Sequence, residues 1–403
     1  MEQQAETKKT NTKNVVLISI IIYALTSLLA YFVFANTSIL ASTGLVSTPV
    51  PQPKKTGTTD TSRTVFDQSL PKTEACPING EMYSKQQRNW WEQHRPLGVM
   101  IENSVDARPQ SGLQSADVVY EAVAEGGITR FLAIFYCQDA GQIGPVRSAR
   151  TYFMDFLSEY GNNPLYAHVG GANTDGPADA LGQIEEYGWN FYNDLNQFSV
   201  PYPIFKRIEN INGRQVATEH TMYSNTNALW DYAKDKRKLG AKDEDGLKWD
   251  TTFTQYEFKN DVAASARPAA QRVSFEFWDG YKDFVVDWVY DKATNTYIRK
   301  TAGVDLADRN TKKPIAAKNV VILFMRESSA NDGYENNAHM LYGTKGTGKA
   351  LIFMDGKQTV GKWKKTDRES KTILTDNAGN EISLNKGLTW FEIVATDTAV
   401  SVK

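Results

Sequence analysis

Between Lys13 and Lys54 the chain has no charged residue at all. The first half of that gap, 15–35, is a run of 21 uncharged and mostly apolar residues. A bilayer core takes about 20 apolar residues, so the run is long enough to cross one. Lys8, Lys9 and Lys13 precede it, an asymmetry that orients a span with its N-terminus in the cytoplasm and the bulk outside. A cleaved secretory signal is the rival reading. Such signals have a shorter apolar stretch and a small-residue cleavage site, and no A-x-A follows here. No Cys follows the run closely, so a lipid-modified N-terminus is not supported. The pattern predicts an uncleaved single-pass anchor in the plasma membrane and excludes most cytoplasmic, ATP-dependent enzymology.

Cysteine is nearly absent. Only Cys76 and Cys137 occur, which excludes a disulfide-rich scaffold. Outside the membrane the two can form one disulfide; two separate thiols are the alternative, and sequence alone leaves both open. No C-x-x-C, H-E-x-x-H or EF-hand spacing exists, so no metal site and no cofactor are expected. Charge of one sign is lacking too. The net charge of −2 over 403 residues provides no basic field for nucleic acid. Gly343-Thr-Lys-Gly-Thr-Gly-Lys-Ala350 nearly spells a phosphate loop. It lacks the final Ser/Thr that would hold Mg²⁺, and Leu351-Ile-Phe-Met354 reads as strand rather than helix. A glycine-rich hairpin loop is expected there.

Aromatics are plentiful, with 9 Trp, 19 Tyr and 18 Phe, and support well-packed, partly β-rich domains. The composition divides the chain into a cytoplasmic tail (1–14), the anchor (15–35) and a Pro/Thr/Ser-rich disordered stalk (36–70). An α/β or α+β domain with a mixed sheet (71–245) and a smaller all-β domain (255–398) follow. In the first, 97–102, 116–125, 128–136 and 165–169 read as strands; 148–160, 177–187 and 225–238 read as helices. Gly126-Gly127 is a two-residue hairpin turn. A tight turn pairs Glu125 with Ile128 and Val123 with Arg130, which places Arg130 diagonal to both Glu121 and Glu125. That arrangement suits a structural ion cluster. In the second domain the strands expected are 273–278, 284–290, 296–300, 319–325, 349–354, 359–363, 373–375, 381–384 and 389–395.

Gly144-Pro-Val-Arg-Ser-Ala-Arg150 carries the strongest chemical signal. Cations oppose the dipole at a helix N-terminus, so Arg147 and Arg150 there call for an acidic ligand or acidic side chains. His168-Val-Gly-Gly171 is expected at the same end of a neighbouring parallel strand. Arg147, Ser148, Arg150, His168, Gly170 and Gly171 would then share one crevice suited to phosphate or carboxylate. The alternative is that the arginines pair with Glu121, Glu125 or Asp175 and only fix the fold. His220, beside Glu219, is a weaker acid–base candidate, because adjacent strand residues face opposite ways.

Arg108-Pro-Gln-Ser-Gly112, Ala116-Asp-Val-Val-Tyr-Glu121, Glu125-Gly-Gly-Ile-Thr-Arg130 and the 144–150 segment resemble the YerB-like lipoprotein family. Asn380-Glu-Ile-Ser-Leu-Asn-Lys-Gly-Leu-Thr-Trp390 resembles its second domain. The resemblance spans roughly 75–395. It implies an extracytoplasmic, membrane-tethered, two-domain protein and assigns no catalytic residue. At the anchor the chain departs from the pattern, with a helix where the family has a lipid-modified Cys. Two functional expectations follow. One is a cell-envelope protein that binds an anionic ligand or scaffolds an envelope glycopolymer or envelope proteins. The other is an envelope phosphotransferase or hydrolase loosely similar to the LytR-CpsA-Psr enzymes, with Glu121 or His168 as base.

Overall fold

The computed structural model describes residues 12–35, 63–211 and 213–403; the side chains of 12–16, 29–35 and 211 are outside it. The expected cytoplasmic tail up to residue 11 and the stalk from 36 to 62 lie outside the described residues. The chain divides into two compact units, 1–58 and 59–403.

In the first unit α1 (Thr12–Ala35) is a 24-residue helix. Over 17–28 its Leu and Ile side chains are exposed. Among the described residues no helix is long and apolar enough to cross a membrane.

The second unit is mostly β with few helices. Its principal elements are α2 (Lys85–Trp91), β1 (Leu97–Glu102), β2 (Val118–Glu125), β3 (Ile128–Phe135), α3 (Thr151–Leu157), β4 (Leu165–His168), α4 (Ala180–Glu186), β5 (Asp194–Asn196) and α5 (Thr226–Arg237). Then follow β6 (Arg272–Phe275), β7 (Val286–Asp291), β8 (Thr296–Thr301), β9 (Asn319–Met325), β10 (Glu327–Ser329) and β11 (Met340–Tyr342). The last are β12 (Gly346–Met354), β13 (Lys357–Lys365), β14 (Ile373–Asp376), β15 (Thr389–Ala395) and β16 (Val400–Val402).

Ten of these strands make one mixed sheet in the order β14-β13-β12-β9-β15-β2-β3-β1-β4-β5. Its central members are apolar on both faces, as covered strands must be. All seven residues of Asn-Val-Val-Ile-Leu-Phe-Met325 in β9 are buried. β15 lies parallel to β9 on one side and parallel to β2 on the other. Strands from the C-terminal part therefore continue the sheet of the N-terminal part. The expected smaller all-β domain over 255–398 has a sheet of its own, with β8, β7, β6 and β16 adjacent in that order, while its β9 and β12–β15 belong to the shared one. Alternation predicts which strands exist and not which chain segment they pair with.

The two parts are also tied by a buried ionic group. Arg299 on β8 pairs with Glu121 of β2 at 2.9 Å and with Glu392 of β15. The Trp288 indole N–H donates to the same Glu392 at 2.8 Å. Burial, reinforced by the Glu121 charge and offset by Arg299, pushes the Glu392 carboxyl well above its usual range.

Cys76 and Cys137 form a disulfide across 61 positions of sequence. Asp117 completes a buried cluster with them, but the sulfurs are bonded to each other and offer no free thiolate. The chain is pinned to this region from residue 63 onward. Arg63 Nε donates to the Asp139 carbonyl at 2.6 Å, and Thr64 N donates to the Asp139 carboxylate at 2.5 Å. The end of the expected stalk is thus docked on the head.

Three expected helices are shorter than their apolar periodicity suggested. The 148–160 helix begins only at Thr151, because 148–150 is extended and Ala149 bridges Gly171. The 177–187 helix begins at Ala180, capped by Asp179, whose Oδ1 accepts from Gly182 N at 2.9 Å. The 225–238 helix runs Thr226–Arg237, between the Asn225 cap and left-handed Lys238.

Candidate functional site

The arginine-bearing turn and the histidine–glycine turn lie against each other on one rim of the sheet. Val169 N donates to the Arg147 carbonyl at 3.0 Å, and Ala149 N to the Gly170 carbonyl at 2.9 Å. Arg147 N reaches the Met100 carbonyl at the carboxyl end of β1, which runs parallel to β4. The side chains on this rim, however, are mostly spent on one another. Arg130 and Arg150 both pair with Glu125, Arg130 at 2.5 Å. One further donor of each holds backbone, Arg130 Nη1 the Ser148 carbonyl at 3.1 Å and Arg150 Nη1 the Ala149 carbonyl at 2.9 Å, while the buried Nε of each has no protein partner. Burial would raise the Glu125 carboxyl, but the two guanidiniums outweigh it and hold it down at about 2. An acidic side chain, not a ligand, resolves the conflict at the start of α3. That helix has seven residues, too short for its N-terminus to serve as an anion site.

His168 is fully buried, with Nδ1 2.7 Å from the Gly170 carbonyl and Nε2 2.5 Å from Asp194 Oδ1. Both ring nitrogens are occupied within the protein, which fixes the ring in the turn. Gly170 and Gly171 serve close packing; a Cβ on Gly171 would come within 2.9 Å of Leu181. Arg147 is the one partly open cation here, 3.5 Å from Glu102 and 3.4 Å from the Glu219 carbonyl. His220 pairs with Glu102 at 2.9 Å rather than with its neighbour Glu219. That bond raises the His220 pKa above its usual value, with burial opposing.

Glu121 is not part of this group. A bulge between Val123 and Glu125 shifts the hairpin register, so Glu125 still faces Ile128 while Thr129 faces Val123 and Arg130 faces Ala122. The expected Val123–Arg130 pair is lost, and Glu121 turns to the other face. There it accepts from Thr129 Oγ1 at 2.8 Å and from Asn103 Nδ2 at 3.2 Å, besides Arg299. Arg108 joins that face: Nε donates to Asn103 Oδ1 at 3.1 Å, and the guanidinium lies 5.0 Å over Phe284. Burial lowers its pKa to about 10.

Beside this rim, a cavity of about 300 Å³ opens between the two parts of the chain. Thr151, Tyr152 and Asp155 of α3 line one wall, with Pro177 and Gln183; Arg326, Ser328 and 341–345 line the other. Arg150, paired with Glu125, directly precedes α3, whose first turn lines the cavity. Asp155 is a charged residue on a helix whose every residue is buried. Its Oδ2 takes the Thr344 hydroxyl and the Lys345 ammonium, the latter at 2.7 Å. Its Oδ1 has no protein partner, and neither has the buried Oε1 of Gln183. Arg326 is exposed, and among the described residues no carboxylate pairs with it. Thr344 and Lys345 come from the glycine-rich segment that resembled a phosphate loop; as expected, the chain continues from it into strand β12.

The cavity thus combines one unpaired cation, one paired cation and two unpaired buried acceptors. Sequence reasoning did not assign these residues. The usable signals were Asp155 interrupting an apolar helix face and Arg326 ending the apolar run of β9.

Two family models match the chain: the N-terminal domain of the protein family of unknown function DUF3048 over residues 80–240, and its C-terminal domain over 273–391. The chain belongs to this family. It is 30% identical over 318 residues to "Putative lipoprotein YerB" of Bacillus subtilis (strain 168), covering 77% of this chain and 84% of that protein. The crystal structure of the YerB protein from Bacillus subtilis superposes with a TM-score of 0.65 at 26% identity, over 82% of this chain and 99% of the other. The resemblance read from the sequence motifs is thereby established.

Proposed function

We propose that this protein is a membrane-tethered, extracytoplasmic component of the cell envelope that binds an anionic, phosphate- or carboxylate-bearing ligand in the cavity between its two parts. Three features support the location. The run 15–35 is long enough to span a bilayer core. The buried Cys76–Cys137 disulfide suits an oxidising compartment. The relative carries the name "Putative lipoprotein YerB". The uncharged run 15–35 is our candidate tether on its length alone, since among the described residues no helix is long and apolar enough to cross a membrane.

The observation that carries the binding function is Arg326, a solvent-reachable guanidinium with no carboxylate partner among the described residues, lining the same cavity as Lys345. The cavity is preferred to the Arg147/Arg150/His168 turn because Arg150 and His168 there are paired with Glu125 and Asp194. An enzymatic role would need a base, and of the two candidates Glu121 is buried in an ion pair with Arg299 and His168 is buried in hydrogen bonds to Asp194 and the Gly170 carbonyl. Binding is therefore the favoured activity. Equilibrium binding of phosphorylated glycans and acidic peptidoglycan fragments to the full chain in nanodiscs tests it. Saturable binding that weakens in Arg326→Ala supports the reading; no binding, or binding indifferent to Arg326→Ala, removes it.

A further inference from the structure

Resting on the anion-binding reading above, we propose that the cavity ligand carries an ammonium group beside its anionic group: a small amphoteric compound such as an amino acid, not a bare anion. Arg326 alone would welcome any carboxylate or phosphate. The opposite wall would not. Asp155 is 94% buried by its 6% exposure, lines the cavity, and keeps Oδ1 without a partner while Lys345 and Thr344 hold Oδ2. Gln183, which also lines the cavity, has an Oε1 acceptor that is likewise buried and unpartnered. Two orphaned acceptors cost free energy until a donor reaches them, and an anion set against them adds repulsion. A ligand that donates there and accepts from Arg326 satisfies both walls at once. A cavity of about 300 Å³ suits a ligand of that size. The amphoteric end of a peptide and a free amino acid share this chemistry.

Matched pairs of probes that differ only in the amino group test this: aspartate against succinate, and alanine against propionate, titrated calorimetrically into the full chain in nanodiscs. A charge-assisted hydrogen bond is strong enough that the amine-bearing member of each pair should bind about tenfold tighter or more. Gln183→Leu and Asp155→Asn should erase that difference, and Arg326→Ala should weaken both members of a pair. Gln183 lies on short α4, half-buried, so its variant carries the test even if Asp155→Asn does not fold. Succinate binding as tightly as aspartate, with Arg326→Ala still weakening both, overturns the amphoteric ligand and leaves the anion site standing. Failure of all four probes overturns the amphoteric ligand and leaves the anion site to the glycan titration above; binding untouched by Arg326→Ala overturns both.

Discussion

Glu121 and Glu125 stand four residues apart on one strand and serve opposite faces of the sheet. In a regular strand they would share a face. The bulge between Val123 and Glu125 separates them, so that Glu125 takes Arg130 and Arg150 while Glu121 takes Arg299. One extra residue thus supplies two different ionic groups. One frames the cavity wall, and the other joins the two parts of the chain.

The first group makes stability depend on acid. The Glu125 carboxyl is depressed in the folded state to about 2 from an ordinary 4.5. A depressed carboxyl contributes stability that is complete above its ordinary pKa and is lost as pH falls towards the folded value. The shift corresponds to about 3 kcal/mol, an order-of-magnitude figure. Glu125→Gln should therefore cost about 3 kcal/mol near neutral pH. The gap to the parent should close as pH falls from about 4.5 to 2. Urea unfolding at a series of pH values checks this, and a gap constant with pH would contradict it.

The second group predicts an asymmetry. Replacing Arg299 with Met leaves two buried carboxylates facing each other and should cost about 3–5 kcal/mol. Replacing Glu121, Arg299 and Glu392 together with apolar residues of similar size should cost much less than the single change. Chemical denaturation of the single and triple variants decides it; a triple variant no more stable than Arg299→Met would refute the account of this group.

The disulfide should contribute through the unfolded chain. Closing a loop across 61 positions gives about 4 kcal/mol by the chain-entropy relation. Cys76→Ser/Cys137→Ser should lower stability by about that amount, and reduction of the parent should match it. Thermal unfolding with and without reductant is the check.

Much of the sheet was legible in the sequence. Leu97–Glu102, Asn319–Met325 and Thr389–Ala395 fall where the apolar runs place them. The Gly126-Gly127 and Asp355-Gly356 turns sit between paired strands, with positive φ at all four residues. Two things were not legible. A bulge has no period, so the cross-strand neighbour of Arg130, Ala122 instead of Val123, was hidden, although its ion partner Glu125 was among those expected. Long-range pairing was hidden too: nothing in β15 announces that it lies between β9 and β2. The same blindness hid the cavity. Asp155 and Lys345 are 190 residues apart, and their pairing follows only from the sheet that both parts share. The two turns singled out from the sequence do converge, but as a framework.

Hydrogen exchange of the full chain, with and without an acidic envelope glycan or peptidoglycan fragment, tests the central claim most directly. If the ligand sits between the two parts, protection should appear together in 151–155 and in 326–345, and should disappear in Arg326→Ala. Protection confined to 144–150 and 168–171, or absent from one of the two cavity walls, would contradict the account.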